Sequence, residues 1–80
     1  MHYVYLIRSI AEPHQTYIGL TTDLQARLEQ HNAGGSPHTA KHKPWKIATY
    51  TAFPTKEKAA EFETYLKTGS GRAFAKRHLW

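Results

Sequence analysis

Eighty residues, no cysteine, a formal charge of +5 and a pI near 9.7 bound what this chain can be. That length supports one small hydrophobic core, with no disulfide or thiolate metal site to staple it, which fits a reducing cytoplasm. Nothing near Met1 has the form of a signal peptide and no apolar run could span a bilayer, so a single soluble, cytoplasmic domain over residues 1–80, with no membrane partner, is expected.

The charge is unevenly spread. No carboxylate lies between Glu29 and Glu57, a stretch that holds Lys41, Lys43, Lys46 and Lys56; after Glu63 come Lys67, Arg72, Lys76 and Arg77 with no acid among them. Two basic tracts suit a polyphosphate partner, and they suit a merely solubilising surface equally well.

Taken in order, Tyr3–Ile7 is a β-branched and aromatic run too short for a helix, and reads as a buried strand. Ser9 to His14, with Pro13, turns the chain back into Gln15–Gly19, so the two strands predict an antiparallel hairpin. It brings Tyr3, Tyr5 and Tyr17 close together, either as core aromatics or as functional phenols. Thr22 with Gln25 three residues on fits a capping box, and a helix follows from about Asp23 with Leu24 and Leu28 on its apolar stripe. Arg27 and His31, four apart, lie one above the other along the edge of that stripe, aimed toward the strands.

Ala33-Gly34-Gly35-Ser36-Pro37 stops this helix, with glycine where a left-handed cap is wanted. A basic loop, His38 to Pro44, leads to a third strand at Trp45–Thr51, and Thr55 caps a second helix over Lys56–Lys67. Its apolar face is Ala59, Phe62 and Leu66, and Glu63 falls in the same stripe. A carboxylate there is costly unless it is paired, with Arg27 or Lys67, or binds a divalent cation. Thr68–Gly71 is expected to break the helix before a last basic one, Arg72–Leu79, that packs Phe74, Leu79 and Trp80 inward. The order predicts an α+β domain: a three-stranded, mainly antiparallel sheet flanked by helices.

Zinc sites of cysteine and histidine, a phosphate-binding glycine loop with its lysine, and a serine elbow are all absent. What remains suits metal-assisted phosphodiester hydrolysis. A guanidinium offers two donors in a fixed fork to phosphate oxygens, and Mg²⁺ commonly takes one or two carboxylates and completes its shell with water and substrate. A tyrosine or histidine beside such positive charge could accept a proton from water, because cations lower a phenol's pKa from about 10.

These residues resemble the GIY-YIG nuclease superfamily, and in particular its small stand-alone bacterial members related to the nuclease domain of the excision-repair incision subunit. Tyr3-Val4-Tyr5 stands in the place of the first motif, degenerate except for Tyr5, and Tyr17-Ile18-Gly19 is the second motif unaltered. Arg27 lies ten residues past Tyr17, His31 four further on, and Glu63 leads into the tail Thr64–Phe74 of the short bacterial branch.

The resemblance implies a GIY-YIG-like fold and cleavage of DNA through one divalent ion, Mg²⁺ or Mn²⁺. Tyr5 or Tyr17 would activate water, directly or through His31, with Tyr17 preferred for its place beside the helix bearing Arg27. Arg27 would hold the scissile phosphate and Glu63 the metal. Lys41, Lys43, Lys46, Lys67, Arg72 and Lys76 are the candidate nucleic-acid contacts. Departures are Tyr3 for the first motif's glycine, Leu20 where some members carry lysine, and no counterpart near Ala75 of a late asparagine. A module that binds nucleic acid but hardly cuts is the competing expectation. Sequence separates neither DNA from RNA nor one oligomeric state from another, and the departures leave room for a protein partner.

Overall fold

The computed structural model describes all 80 residues. In chain order they form β1 (His2–Ser9), β2 (Thr16–Thr21), α1 (Leu24–Asn32), a short 3-10 turn at Ala40–His42, β3 (Trp45–Phe53), α2 (Lys56–Leu66) and α3 (Gly69–His78). The strands make one antiparallel sheet in the order β2-β1-β3, as the α+β expectation requires. The central strand is therefore the apolar run Val4-Tyr5-Leu6-Ile7, which needs cover on both faces.

Alternation along β1 divides the molecule into two layers. Val4 and Leu6 join Ala59 and Leu66 of α2 and Ala75 of α3, with Phe62, Phe74, Leu79 and Trp80 around them. Tyr5 and Ile7 point the other way, to Trp45 and to Leu24 and Leu28 of α1. Each fully buried Leu or Ile side chain contributes on the order of 2 kcal/mol. On β3 the partners of Leu6 and Ile7 are Thr49 and Ile47, so Ala48 is an extra residue in the ladder. This bulge reverses the alternation and brings Ile47 and Trp45 to the α1 layer.

Several local expectations are corrected. The capping box of Thr22 and Gln25 does not form: β2 stays paired through Thr21, and Asp23 is the N-cap, its Oδ1 accepting from Ala26 N at 3.0 Å. An anionic cap there also complements the helix dipole. Gly34, at φ +81°, ends α1 in the left-handed region as expected. Thr55 caps α2 as expected, accepting from Lys58 N.

The break after α2 is shorter than Thr68–Gly71. Thr68 accepts from Gly71 N at 3.1 Å while donating to Tyr65 O at 2.6 Å, so Gly69-Ser70-Gly71 is already the first turn of α3. Gly71 sits so close to the Tyr65 carbonyl that a Cβ would overlap it. Tyr3 also departs from the expected trio: its ring packs against Tyr50 on β3, 5.8 Å between centroids.

Candidate active site

Tyr5 on β1 lies opposite Gly19 on β2, and a Cβ at position 19 would collide with the Tyr5 ring. Glycine in the second motif thus gives the phenol room to lie over β2 toward α1. There it meets His31, buried at 2% exposure in the last turn of that helix. His31 Nε2 is 2.8 Å from Tyr5 Oη, and Nδ1 is 2.6 Å from Thr39 Oγ1.

The network assigns the hydrogens. Thr39 Oγ1 donates to Ser36 O at 3.4 Å, so it receives from Nδ1–H and leaves Nε2 to accept from the Tyr5 hydroxyl. Thr39 is itself fixed, fully buried with Trp45 Nε1 donating to its carbonyl at 2.8 Å. Asn32 secures the other side of the joint: its Oδ1 accepts from Trp45 N at 2.6 Å and its Nδ2 donates to Trp45 O at 3.1 Å. Tyr17, half-buried on the edge strand, presents its ring to His31 at 5.3 Å and to Tyr5 at 6.4 Å between centroids.

Burial sets the protonation states. It raises the Tyr5 pKa above 10.0, opposed by the nearby Arg27 guanidinium and reinforced by Tyr17 and Glu63. It also lowers the His31 pKa below 6.5, with Arg27 adding repulsion. The expected fall in a phenol's pKa beside cations is therefore overridden at Tyr5 by desolvation. A neutral phenol donating to a neutral imidazole is the resting arrangement at pH 7.

Arg27 is half-buried. One of its terminal nitrogens donates to Gln30 Oε1 at 2.8 Å, whereas its Nε is buried with no partner. An orphaned donor of this kind costs about 1–3 kcal/mol, a penalty that an incoming acceptor removes.

Glu63 stands apart from this cluster. It is carried by α2, in the other layer, and its carboxylate pairs with Lys67 at 3.4 Å rather than with Arg27. The side chain is 23% exposed, so it lies at the margin of the apolar face instead of within it. No hydrogen bond or ion pair joins it to Tyr5, Tyr17, Arg27 or His31, although its charge contributes to the rise at Tyr5. An exposed pair with lysine is weak, so the carboxylate is available to a cation. No group of three His, Cys, Asp or Glu side chains converges anywhere. The donor set fits a hard ion such as Mg²⁺, which one carboxylate, waters and a substrate phosphate can hold.

Of the expected nucleic-acid contacts, Lys67, Arg72 and Lys76 converge. With Arg8 they line a cavity of about 600 Å³ that Tyr17 also borders. Lys46 lies on β3 opposite Arg8, and Lys41 and Lys43 occupy the loop beyond α1; none of these three lines the cavity. Sequence reasoning missed Arg8, Gln30 and Thr39. Alternation along β1 could have found Arg8, which falls on the same face as Val4 and Leu6. Thr39 lies in an aperiodic loop that offers no such signal.

A tyrosine on each strand of a hairpin, the second opening Tyr17-Ile18-Gly19, with arginine and histidine on the next helix, defines a GIY-YIG domain. The model described as the GIY-YIG catalytic domain matches residues 1–77, and the chain belongs to that family. The bacterial UPF0213 protein BH0048 of Halalkalibacterium halodurans is 35% identical over 72 residues, covering 89% of this chain and 74% of that protein.

The solution NMR structure of UPF0213 protein BH0048 from Bacillus halodurans has a TM-score of 0.54 and 33% identity, covering 94% of this chain and 79% of that one. These likenesses bear out the resemblance to the short bacterial members of the family. The structure-specific endonuclease subunit SLX1 of Candida dubliniensis is 37% identical over 83 residues, covering 95% of this chain. This chain spans only 28% of that fungal protein's length.

Proposed function

We propose that the protein is a divalent-metal-dependent endonuclease that hydrolyses a DNA phosphodiester bond, in repair or recombination. The half-buried Arg27 guanidinium beside the Tyr5–His31 pair carries the reading: it offers a phosphate positive charge where a proton acceptor is already in place. Membership of the family and the name of the fungal relatives, structure-specific endonuclease subunits, support it. That those relatives are subunits also favours a protein partner for this chain.

Arg27 would neutralise charge on the nonbridging oxygens as water attacks phosphorus. Tyr5 can take the water's proton on its oxygen while its own hydroxyl hydrogen passes to His31 Nε2, so Tyr5 is the better-connected of the two phenols. Tyr17, half-buried at the sheet edge, shapes the approach of the strand. Glu63 would hold the metal, which when bound supplies Lewis-acid stabilisation of the phosphate.

A second reading, a DNA-binding module that hardly cuts, draws on Tyr5 being only 2% exposed with its proton held tightly. Plasmid nicking with Mg²⁺ or Mn²⁺ separates the two. The wild type should nick, and Arg27→Ala and Glu63→Ala should each lose about 10²-fold or more in rate. Equal nicking by all three would point to a contaminant, and binding without nicking would establish the module.

A further inference from the structure

We propose that the cavity between β2 and the C-terminal helices receives one unpaired nucleotide of the substrate strand, beside the bond to be cut. This rests on the reading of the protein as a DNA nuclease. Arg8, Lys67, Arg72 and Lys76 line the cavity and no Asp or Glu does, so even with Lys67 paired to Glu63 the excess charge is positive and the occupant is an anion. The rest of the wall includes Leu66 and Trp80, so the occupant also has an apolar part.

Its volume of about 600 Å³ falls in the range of small-ligand pockets, enough for a single nucleotide. A paired base stays in its stack and offers a protein only its edges. A base that enters a concavity has left the duplex.

One wall provides a flat surface. The Arg8 guanidinium lies 5.2 Å from the Trp80 ring centroid and is anchored from its other end by donating to Pro13 O at 2.7 Å. Nucleobases stack on arginine planes as they do on aromatic rings. Arg72 and Lys76, exposed on the first and last turns of α3, supply charge for the phosphate. Tyr17 ties the cavity to the chemistry, because it both borders the cavity and packs against His31. The cavity lies on the α2–α3 side of the sheet and the relay on the α1 side, so a strand that wraps the β2 edge past Tyr17 sets one nucleotide in the cavity and a neighbouring one before Arg27 and Tyr5, and the protein selects DNA with a single-stranded or frayed segment at the cut.

Fluorescence anisotropy in EDTA, where no cleavage occurs, tests this with a short labelled oligo(dT) and a blunt duplex of equal length. Thr16→Leu, at an exposed position on β2 that borders the cavity, narrows its mouth without removing charge or adding a stacking ring. It should weaken oligo(dT) binding by about tenfold or more and leave duplex binding within about twofold. The double variant Arg72→Ala/Lys76→Ala should lose more on oligo(dT) than on duplex. Equal losses on both probes would mean uniform phosphate attraction and overturn the inference, as would full oligo(dT) binding by Thr16→Leu. The nuclease reading fails on a different readout: wild-type protein that never nicks with metal, while its cavity-dependent preference for oligo(dT) persists.

Discussion

The two faces of the sheet are built from different materials. The layer beneath α2 and α3 is hydrocarbon: Val4, Leu6, Ala59, Leu66 and Ala75 are almost wholly buried and contribute no side-chain hydrogen bond. The layer beneath α1 is a polar machine set in aromatics, where Tyr5, His31 and Thr39 form a buried relay flanked by Trp45 and Tyr17. One strand, β1, supplies both. Val4 and Leu6 can be tuned for stability without touching a reacting group or the cavity, whereas every change in the polar layer alters chemistry and fold together.

That contrast can be broken from either side. The largest stability effect belongs to Leu6→Ala, which opens a void in the aliphatic layer away from the cavity and should cost about 2–5 kcal/mol by urea denaturation. Nicking per folded molecule should be unchanged, and a loss of kcat at low temperature would show that the layers are not separable. Thr39→Val comes next. It strips His31 Nδ1 of its acceptor and should cost about 1–3 kcal/mol. It should also lower kcat and displace the acid limb of the pH profile, with Thr39→Ser restoring both. A stability loss with an unmoved profile would reduce Thr39 to packing.

The smallest effect is the pH dependence of stability. His31 has a lowered pKa in the folded state, so the unfolded chain binds more protons as pH drops below about 6.5 and stability declines in that direction. Tyr5 has a raised pKa, so the folded chain keeps its proton longer and stability declines as pH climbs past about 10. Melting temperature should fall at both ends. The acid decline should shrink in His31→Gln, and one of equal depth there would place its origin elsewhere.

Much of this was legible from sequence because it rests on periodicity. The short β-branched and aromatic run Tyr3–Ile7 marks a buried strand, and the spacing of Arg27 and His31 and the stripe Ala59, Phe62, Leu66 each fix a face once the helix is known. Boundaries were less legible where two residues compete for one cap, as Thr22 and Asp23 do, and the outcome turned on how far β2 stayed paired. Glu63 shows another limit: expected within the apolar stripe, it lies at its margin, because a helix edge grades continuously from buried to exposed. Thr39 shows a third, since the contact from loop to helix that orients His31 depends on where a nonrepeating segment folds back.

Gly19 carries a consequence for how such proteins diverge. Since a methyl group there and a phenol at position 5 claim the same space, descendants that lose the tyrosine are released from the glycine. Any relative bearing alanine or larger at the position of Gly19 should also lack an aromatic ring at the position of Tyr5. Paired loss of the two across natural sequences would mark lineages that have given up cutting while keeping the scaffold.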